Sequence, residues 1–189
     1  MRVNQVPIDT QKLCRLAAVS TLLVVGCAEL VSLNKVYAQE TPQCVGKPAT
    51  VYVQGGIIVG GPDNGQPYRG VLRGTPGDDV IVGTTGNDMI YGFGGNDTIC
   101  GGPGDDEIYG GTGNDRIEGG PGNDMIRGEE GDDVLKGGPG NDDIDGGPGN
   151  DRIEGGPGDD EIHGGGGNDS LEGGPGDDLI IGDERIQPK

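Results

Sequence analysis

The sequence predicts an all-β protein, a flattened parallel solenoid of about six coils with 18 residues per coil behind a small N-terminal β cap. Three observations predict it. Residues 74–181 repeat a nine-residue unit twelve times without a gap, from Gly74–Val82 to Gly173–Ile181. In every copy positions 1 and 4 are Gly, position 6 is Asp, position 5 is Asp or Asn, and position 8 is Ile or Leu. The chain has 43 Gly, one Phe, no Trp and 31% hydrophobic residues, too little for a conventional globule. Burial contributes only about 1.5–3 kcal/mol per large apolar side chain, against roughly 1–2 kcal/mol per residue of backbone ordering. Without its period such an acidic, Gly-rich chain would read as disordered. The period demands order, and therefore a source of folding free energy other than a wide core. Bound cations are the source the composition allows.

The net charge is −19 over 189 residues. Residues 1–38 carry a net of +2, so their removal takes the charge to −21. Such a balance repels nucleic acid and anionic membranes and suits divalent cations.

Residues 1–38 read as an export signal. Lys12 and Arg15 precede the apolar run 16–26, which has the length of a signal core and is too short to span a bilayer. Two processing readings stand side by side. Val36-Tyr37-Ala38 places small residues for ordinary cleavage, releasing a secreted chain that starts at Gln39. Val24-Val25-Gly26-Cys27 resembles a bacterial lipobox, which would anchor the chain to the cell envelope through a lipid on Cys27. Free release leaves Cys44 and Cys100, either a disulfide suited to an oxidising compartment or two thiols.

Residues 39–73 read as the cap. Thr50–Val53 and Ile57–Val59 have strand composition and are separated by Gly55-Gly56, while 62–67 reads as a loop. A repeat array needs such a cap, because its end coil otherwise exposes core and unpaired strand edges.

Within the repeat, position 8 is the one consistently apolar position, from Ile81 to Ile180. Neighbouring strand residues face opposite ways, so positions 7 and 9 point outward when 8 points in. They duly hold Glu107, Arg116, Glu118, Lys136 and His163. Positions 1–6 form the turn. Gly at positions 1 and 4 is expected to supply positive φ and close backbone approach, and Pro at position 3 of most copies stiffens the turn. Such a turn aims carbonyl oxygens at one place, and Asp at position 6 adds a carboxylate. The all-oxygen set suits calcium, which takes 6–8 oxygen ligands at roughly 2.3–2.6 Å, better than magnesium, which keeps its waters. Position 5 reads either as a second ligand or as a hydrogen-bonding turn residue. The tail 182–189 begins a thirteenth copy that fails at Arg185.

The unit G-G-x-G-[N/D]-D-x-[I/L]-x, as in Gly173–Ile181, resembles the RTX, or hemolysin-type, calcium-binding nonapeptide repeat. The segments Cys44–Thr50 and Asn96–Gly102 are also similar to small secreted bacterial calcium-binding proteins of that type. The resemblance implies a right-handed parallel β-roll with calcium seated between turns n and n+2. It implies ligation by turn carbonyls and by the position-6 carboxylates Asp79, Asp88, Asp97, Asp106, Asp115, Asp124, Asp133, Asp142, Asp151, Asp160, Asp169 and Asp178. Twelve turns so paired would hold about ten ions, enough to neutralise most of the charge. It also implies the Cys44–Cys100 disulfide. Copies departing from the pattern at positions 2 and 3, through Thr75, Thr84, Phe93 and Glu129-Glu130, are expected to bind more weakly.

These features favour a non-catalytic structural, adhesive or ion-buffering role. The alternative is an accessory, or a fragment of a larger secreted hydrolase or toxin system. About 35 residues between signal and repeats are too few for a catalytic domain. Ser170, His163 and Asp169 occupy ordinary repeat slots and do not read as a triad. Mixed, charged outward positions with Thr98 as the single Thr argue against an ice-binding plane. A cell-surface or glycan partner, and end-to-end self-association through the thinly capped last coil, are left open by the sequence.

Overall fold

A computed structural model of the chain describes residues 41–182. The signal and lipobox readings, Cys14, Cys27 and the tail beyond Gly182 lie outside the described residues.

The described residues form strands and no helix. Two short hairpins come first, β1 (Gln43–Cys44) with β2 (Lys47–Pro48), and β3 (Tyr52–Gln54) with β4 (Ile57–Val59). The second is closed by Gly55 and Gly56 at φ of 59° and 77°, the paired left-handed residues a two-residue hairpin turn demands. After β5 (Val71–Arg73) the chain alternates between two parallel sheets. One contains β6 (Val80–Val82), β8 (Thr98–Cys100), β10 (Arg116–Glu118), β12 (Val134–Lys136), β14 (Arg152–Glu154) and β16 (Ser170–Glu172). The other contains β5, β7 (Met89–Gly94), β9 (Glu107–Thr112), β11 (Met125–Glu130), β13 (Asp143–Asp145), β15 (Glu161–His163) and β17 (Leu179–Ile181). From β5 onward each strand pairs in register with the next strand but one, as Ile99 with Ile117 and Ile108 with Ile126. The fold is thus the expected parallel β-solenoid, in which two repeats close each coil and about six coils stack.

Position 8 makes the core. Every aliphatic from Ile81 to Ile162 at this position is buried, one on the next along each sheet. The stack is thin, so each residue touches mainly its counterparts one coil above and below and the facing sheet. At the far end it opens. Leu171 is half-buried and Ile180 is 44% exposed, because the described residues supply no further coil to cover them.

The near end is closed by cap residues. Leu72 pairs with Ile90, so the ladder already runs through β5, ahead of Gly74. In the other sheet Val51 bridges in parallel to Ile81 and is fully buried, filling the place that a preceding regular coil would fill. Cys44 and Cys100 form a disulfide with Cα atoms 5.7 Å apart, tying β1 to β8. Lys47 Nζ donates to Thr98 Oγ1 at 2.9 Å across the same staple. Thr98 is therefore buried, although its position-7 slot led us to expect it outside.

β7, β9 and β11 run on through positions 1–3, which aligns Phe93, Gly111 and Glu129. Phe93 and Glu129 hold φ of 78° and 71°, where glycine stands in most other copies. A side chain in this region costs on the order of 1–3 kcal/mol. Both side chains are exposed, but Phe93 recovers part of the cost by stacking on Tyr91, with ring centroids 5.9 Å apart, a contact Glu129 has no ring to make. Glu129→Gly is expected to stabilise the calcium-loaded protein by about 1 kcal/mol. The measurement is the urea midpoint at saturating calcium, which should rise while Phe93→Gly changes it less.

Candidate metal-binding turns

Each turn carries two adjacent side chains with opposite directions. The position-6 Asp reaches one coil back. Its Oδ1 accepts the backbone N–H of the Asp 18 residues earlier, as from Asp79 to Asp97 at 2.8 Å, Asp106 to Asp124 at 2.8 Å and Asp160 to Asp178 at 3.1 Å. The position-5 side chain reaches one coil forward. Asn96 N–H donates to Asp78 Oδ1 at 2.7 Å and Asn141 N–H to Asn123 Oδ1 at 2.8 Å. Position 5 thus needs one acceptor oxygen in a solvated place, which Asn supplies as well as Asp. This favours its reading as a turn residue.

Position 6 differs because its second oxygen is left over. Asp79 through Asp160 are buried, and Asp169 and Asp178 are half-buried. Oδ2 of Asp97, Asp106, Asp115, Asp124, Asp133, Asp142, Asp151, Asp160 and Asp169 is inaccessible and has no hydrogen-bond partner. A buried carboxylate oxygen without a partner carries a desolvation penalty that native proteins rarely leave uncompensated. Burial accordingly pushes Asp97, Asp106, Asp133, Asp142 and Asp151 up to about 6 and Asp115 and Asp124 up to about 7. Backbone hydrogen bonds oppose the rise, and the neighbouring carboxylates add to it.

The sign of the pH dependence follows. These groups bind a proton more tightly folded than at their ordinary value of 3.8, so protonation stabilises the metal-free fold. That contribution is complete below about 3.8 and is lost as pH rises through about 6 to 7. In EDTA the protein should gain strand circular dichroism as pH falls from 8 to 5. Equal spectra at both pH values would contradict the assignment.

Glycine at position 1 serves this carboxylate. A Cβ on Gly119 would overlap Oδ2 of Asp124 and lie 2.8 Å from the carbonyl oxygen of Gly137 in the next coil. A carboxylate oxygen and a carbonyl oxygen therefore flank one spot beside each position-1 Cα from Gly74 to Gly155. The expected positive φ is absent at position 1, where the expected close approach alone requires glycine; φ is instead positive at position 2 from Phe93 onward and at most position-4 glycines, as at Gly102 (108°) and Gly104 (135°). Among the described residues no three His, Cys, Asp or Glu side chains converge. A calcium shell of about 6–8 oxygens would consequently need backbone carbonyls as well. The donors present fit that ion: all oxygen, one unpaired carboxylate oxygen in each turn from Asp97 to Asp169, and closely stacked carbonyls.

The first two turns are built differently. Thr75 donates to Asp79 Oδ2 from its N–H at 2.6 Å and its hydroxyl at 2.8 Å. Thr84 does the same to Asp88 Oδ2 at 2.5 and 3.0 Å. Thr50 Oγ1 adds a 3.0 Å bond to Asp79 Oδ1. The sequence marks Thr75 and Thr84 as departures from glycine, but nothing in it identifies Thr50 as their companion, 29 residues from Asp79. His163 and Ser170 stand on opposite sheets, His163 beside Glu161 at 3.1 Å, so no triad assembles.

Fold and turns together define a parallel β-solenoid whose glycine bends enclose carboxylates. The profile of the RTX calcium-binding nonapeptide repeat matches residues 73–108, 101–135, 109–144, 118–153 and 154–184. The chain belongs to that family, and its repeats are of the calcium-binding kind. No curated protein matches its sequence.

Proposed function

We propose that this protein is a secreted, non-catalytic calcium-binding rod that folds as calcium fills the spaces between stacked turns. The observation that carries the proposal is the row of nine buried carboxylate oxygens, Asp97 to Asp169, that find no partner in the chain. Bound calcium would supply the positive charge these oxygens lack. Turn n and turn n+2 would share an ion, with position-6 carboxylates contributing charge and turn carbonyls completing the shell. Asp178 would serve the last turn through the same geometry, its Oδ1 already engaged by Asp160.

Export fits this chemistry. The family is typically extracellular, where calcium is abundant and modules bind at roughly 10⁻⁴–10⁻³ M. The acidic chain would stay unfolded where calcium is scarce and become rigid where it is not. The signal at 1–38 favours release at Gln39, with lipid attachment at Cys27 as the competing route.

Calcium titration by calorimetry tests the proposal. A stoichiometry of about ten ions per chain, with strand formation tracking the heat, is the expected result. Binding of one or two ions, or none, would overturn it.

A further inference from the structure

We infer that Thr75 and Thr84 close the first coil without calcium, so that residues 44–91, fastened through Cys44 to Cys100, form an ion-independent seed on which the calcium-dependent coils assemble. This rests on the calcium reading above and adds a direction to it.

The two kinds of turn satisfy the same carboxylate by different means. In glycine turns the position-2 N–H leaves its own Asp and donates to the next coil, as Gly102 to the Gly119 carbonyl at 2.9 Å. Oδ2 is then stranded. In the threonine turns the position-2 N–H points inward to its own Asp, and the hydroxyl joins it on the same oxygen. The hydroxyl also receives the position-4 N–H, from Gly77 to Thr75 and from Gly86 to Thr84, both at 3.3 Å. The threonine therefore bridges the turn from within. Neither Asp79 nor Asp88 has an unpartnered buried oxygen, whereas every position-6 Asp from Asp97 to Asp169 does.

The rest of the N-terminal end is built to the same purpose. Thr50 and Asp79 join cap to turn, and Val82 N–H donates to the Val51 carbonyl at 3.0 Å. The Cys44–Cys100 disulfide closes a loop with a sequence separation of 56, reducing the entropy of the unfolded segment. Loop closure and the first stacked coil are the costly steps in a repeat array, since later coils add onto an existing template. A seed that needs no ion supplies those steps in advance. Ion-driven folding would then run from the cap toward Ile181.

Hydrogen exchange of the full, oxidised chain in EDTA and in calcium chloride tests this. In EDTA the amides of Val51, Thr75, Val82 and Thr84 should exchange at least about ten-fold more slowly than those of Asp124, Gly131 and Asp151, relative to their unstructured rates. Calcium should then protect both groups. The double variant Thr75→Gly/Thr84→Gly should lose the EDTA difference while retaining calcium protection, and Thr75→Ser/Thr84→Ser should keep it. If the N-terminal amides exchange freely in EDTA while calcium still protects the rest, or if the glycine variant keeps its protected end, the seed is overturned alone. If calcium protects no part of the chain, the calcium reading falls with it.

Discussion

Withdrawing calcium with EDTA at pH 7.5 should abolish most of the protein's strand circular dichroism, and restoring calcium should return it. The effect is expected to be large because two terms act together. The core offers one aliphatic per nine residues, a column from Leu72 to Ile162, and its lower end at Leu171 and Ile180 is partly uncovered. Such a column cannot offset backbone ordering at roughly 1–2 kcal/mol per residue in a chain rich in glycine. Against this thin core stand buried carboxylates, stacked 18 residues apart in sequence from Asp97 to Asp133 to Asp169 on one edge. Each buried charge without a partner costs several kcal/mol unless it takes up a proton or an ion. At pH 7.5 protons fill these sites poorly, since the most shifted groups titrate at about 7. An ion is the remaining way to hold the fold. Magnesium should restore the spectrum far less well, because it demands a tighter octahedron and keeps its waters. Strand content and a urea midpoint unchanged by EDTA would show that the chain holds itself together by other means.

Much of this was legible in the residues, and the illegible parts share a cause. The period and the lone aliphatic at position 8 determine coil length, strand placement and core, since both are local and repeated. Position 6 stands out for the same reason: an Asp that never becomes Asn must use its charge, whereas position 5 alternates freely because Asn123 and Asp105 accept the same kind of N–H. What the sequence hides is what happens once. Val51 reaches Ile81 over a longer stretch of chain than the step of the coil, so no periodicity announces it. Thr98 looks outward by register yet lies beneath Lys47 and the disulfide, contacts made by a cap with no repeat of its own. Thr75 and Thr84 read as weakened copies, and only the direction of their hydroxyls reveals that they answer their own carboxylates. Position 1 shows a different limit. Its glycine is invariant in the sequence, but whether glycine is there for its φ or for the room it leaves is a question of three-dimensional contact.

The sharpest discrimination between metal ligand and turn residue comes from one neighbouring pair. Asp124→Asn should lower calcium capacity and destabilise the calcium-loaded protein by on the order of 3 kcal/mol. Asn123→Asp, one residue away, should shift it by less than about 0.5 kcal/mol. Asp124 is 2% exposed, its Oδ1 accepts the Asp106 N–H at 2.8 Å, and its Oδ2 has no partner. An Asn there can keep the Asp106 bond, so the coil register survives, but it replaces the unpaired anionic oxygen with a donor that repels a cation. In EDTA the sign should reverse, because the substitution removes a buried charge whose pKa is already driven up by burial and by Asp142 and Asp106. Asn123 is exposed and accepts the Asn141 N–H at 2.8 Å, a bond an Asp makes equally well, so its replacement should be nearly silent with calcium or without. Urea unfolding of both variants, each at saturating calcium and in EDTA, reads all four values. A destabilisation of Asp124→Asn that is the same with and without calcium would mean the carboxylate serves the backbone alone, and the row of unpaired oxygens would lose its claim to the ion.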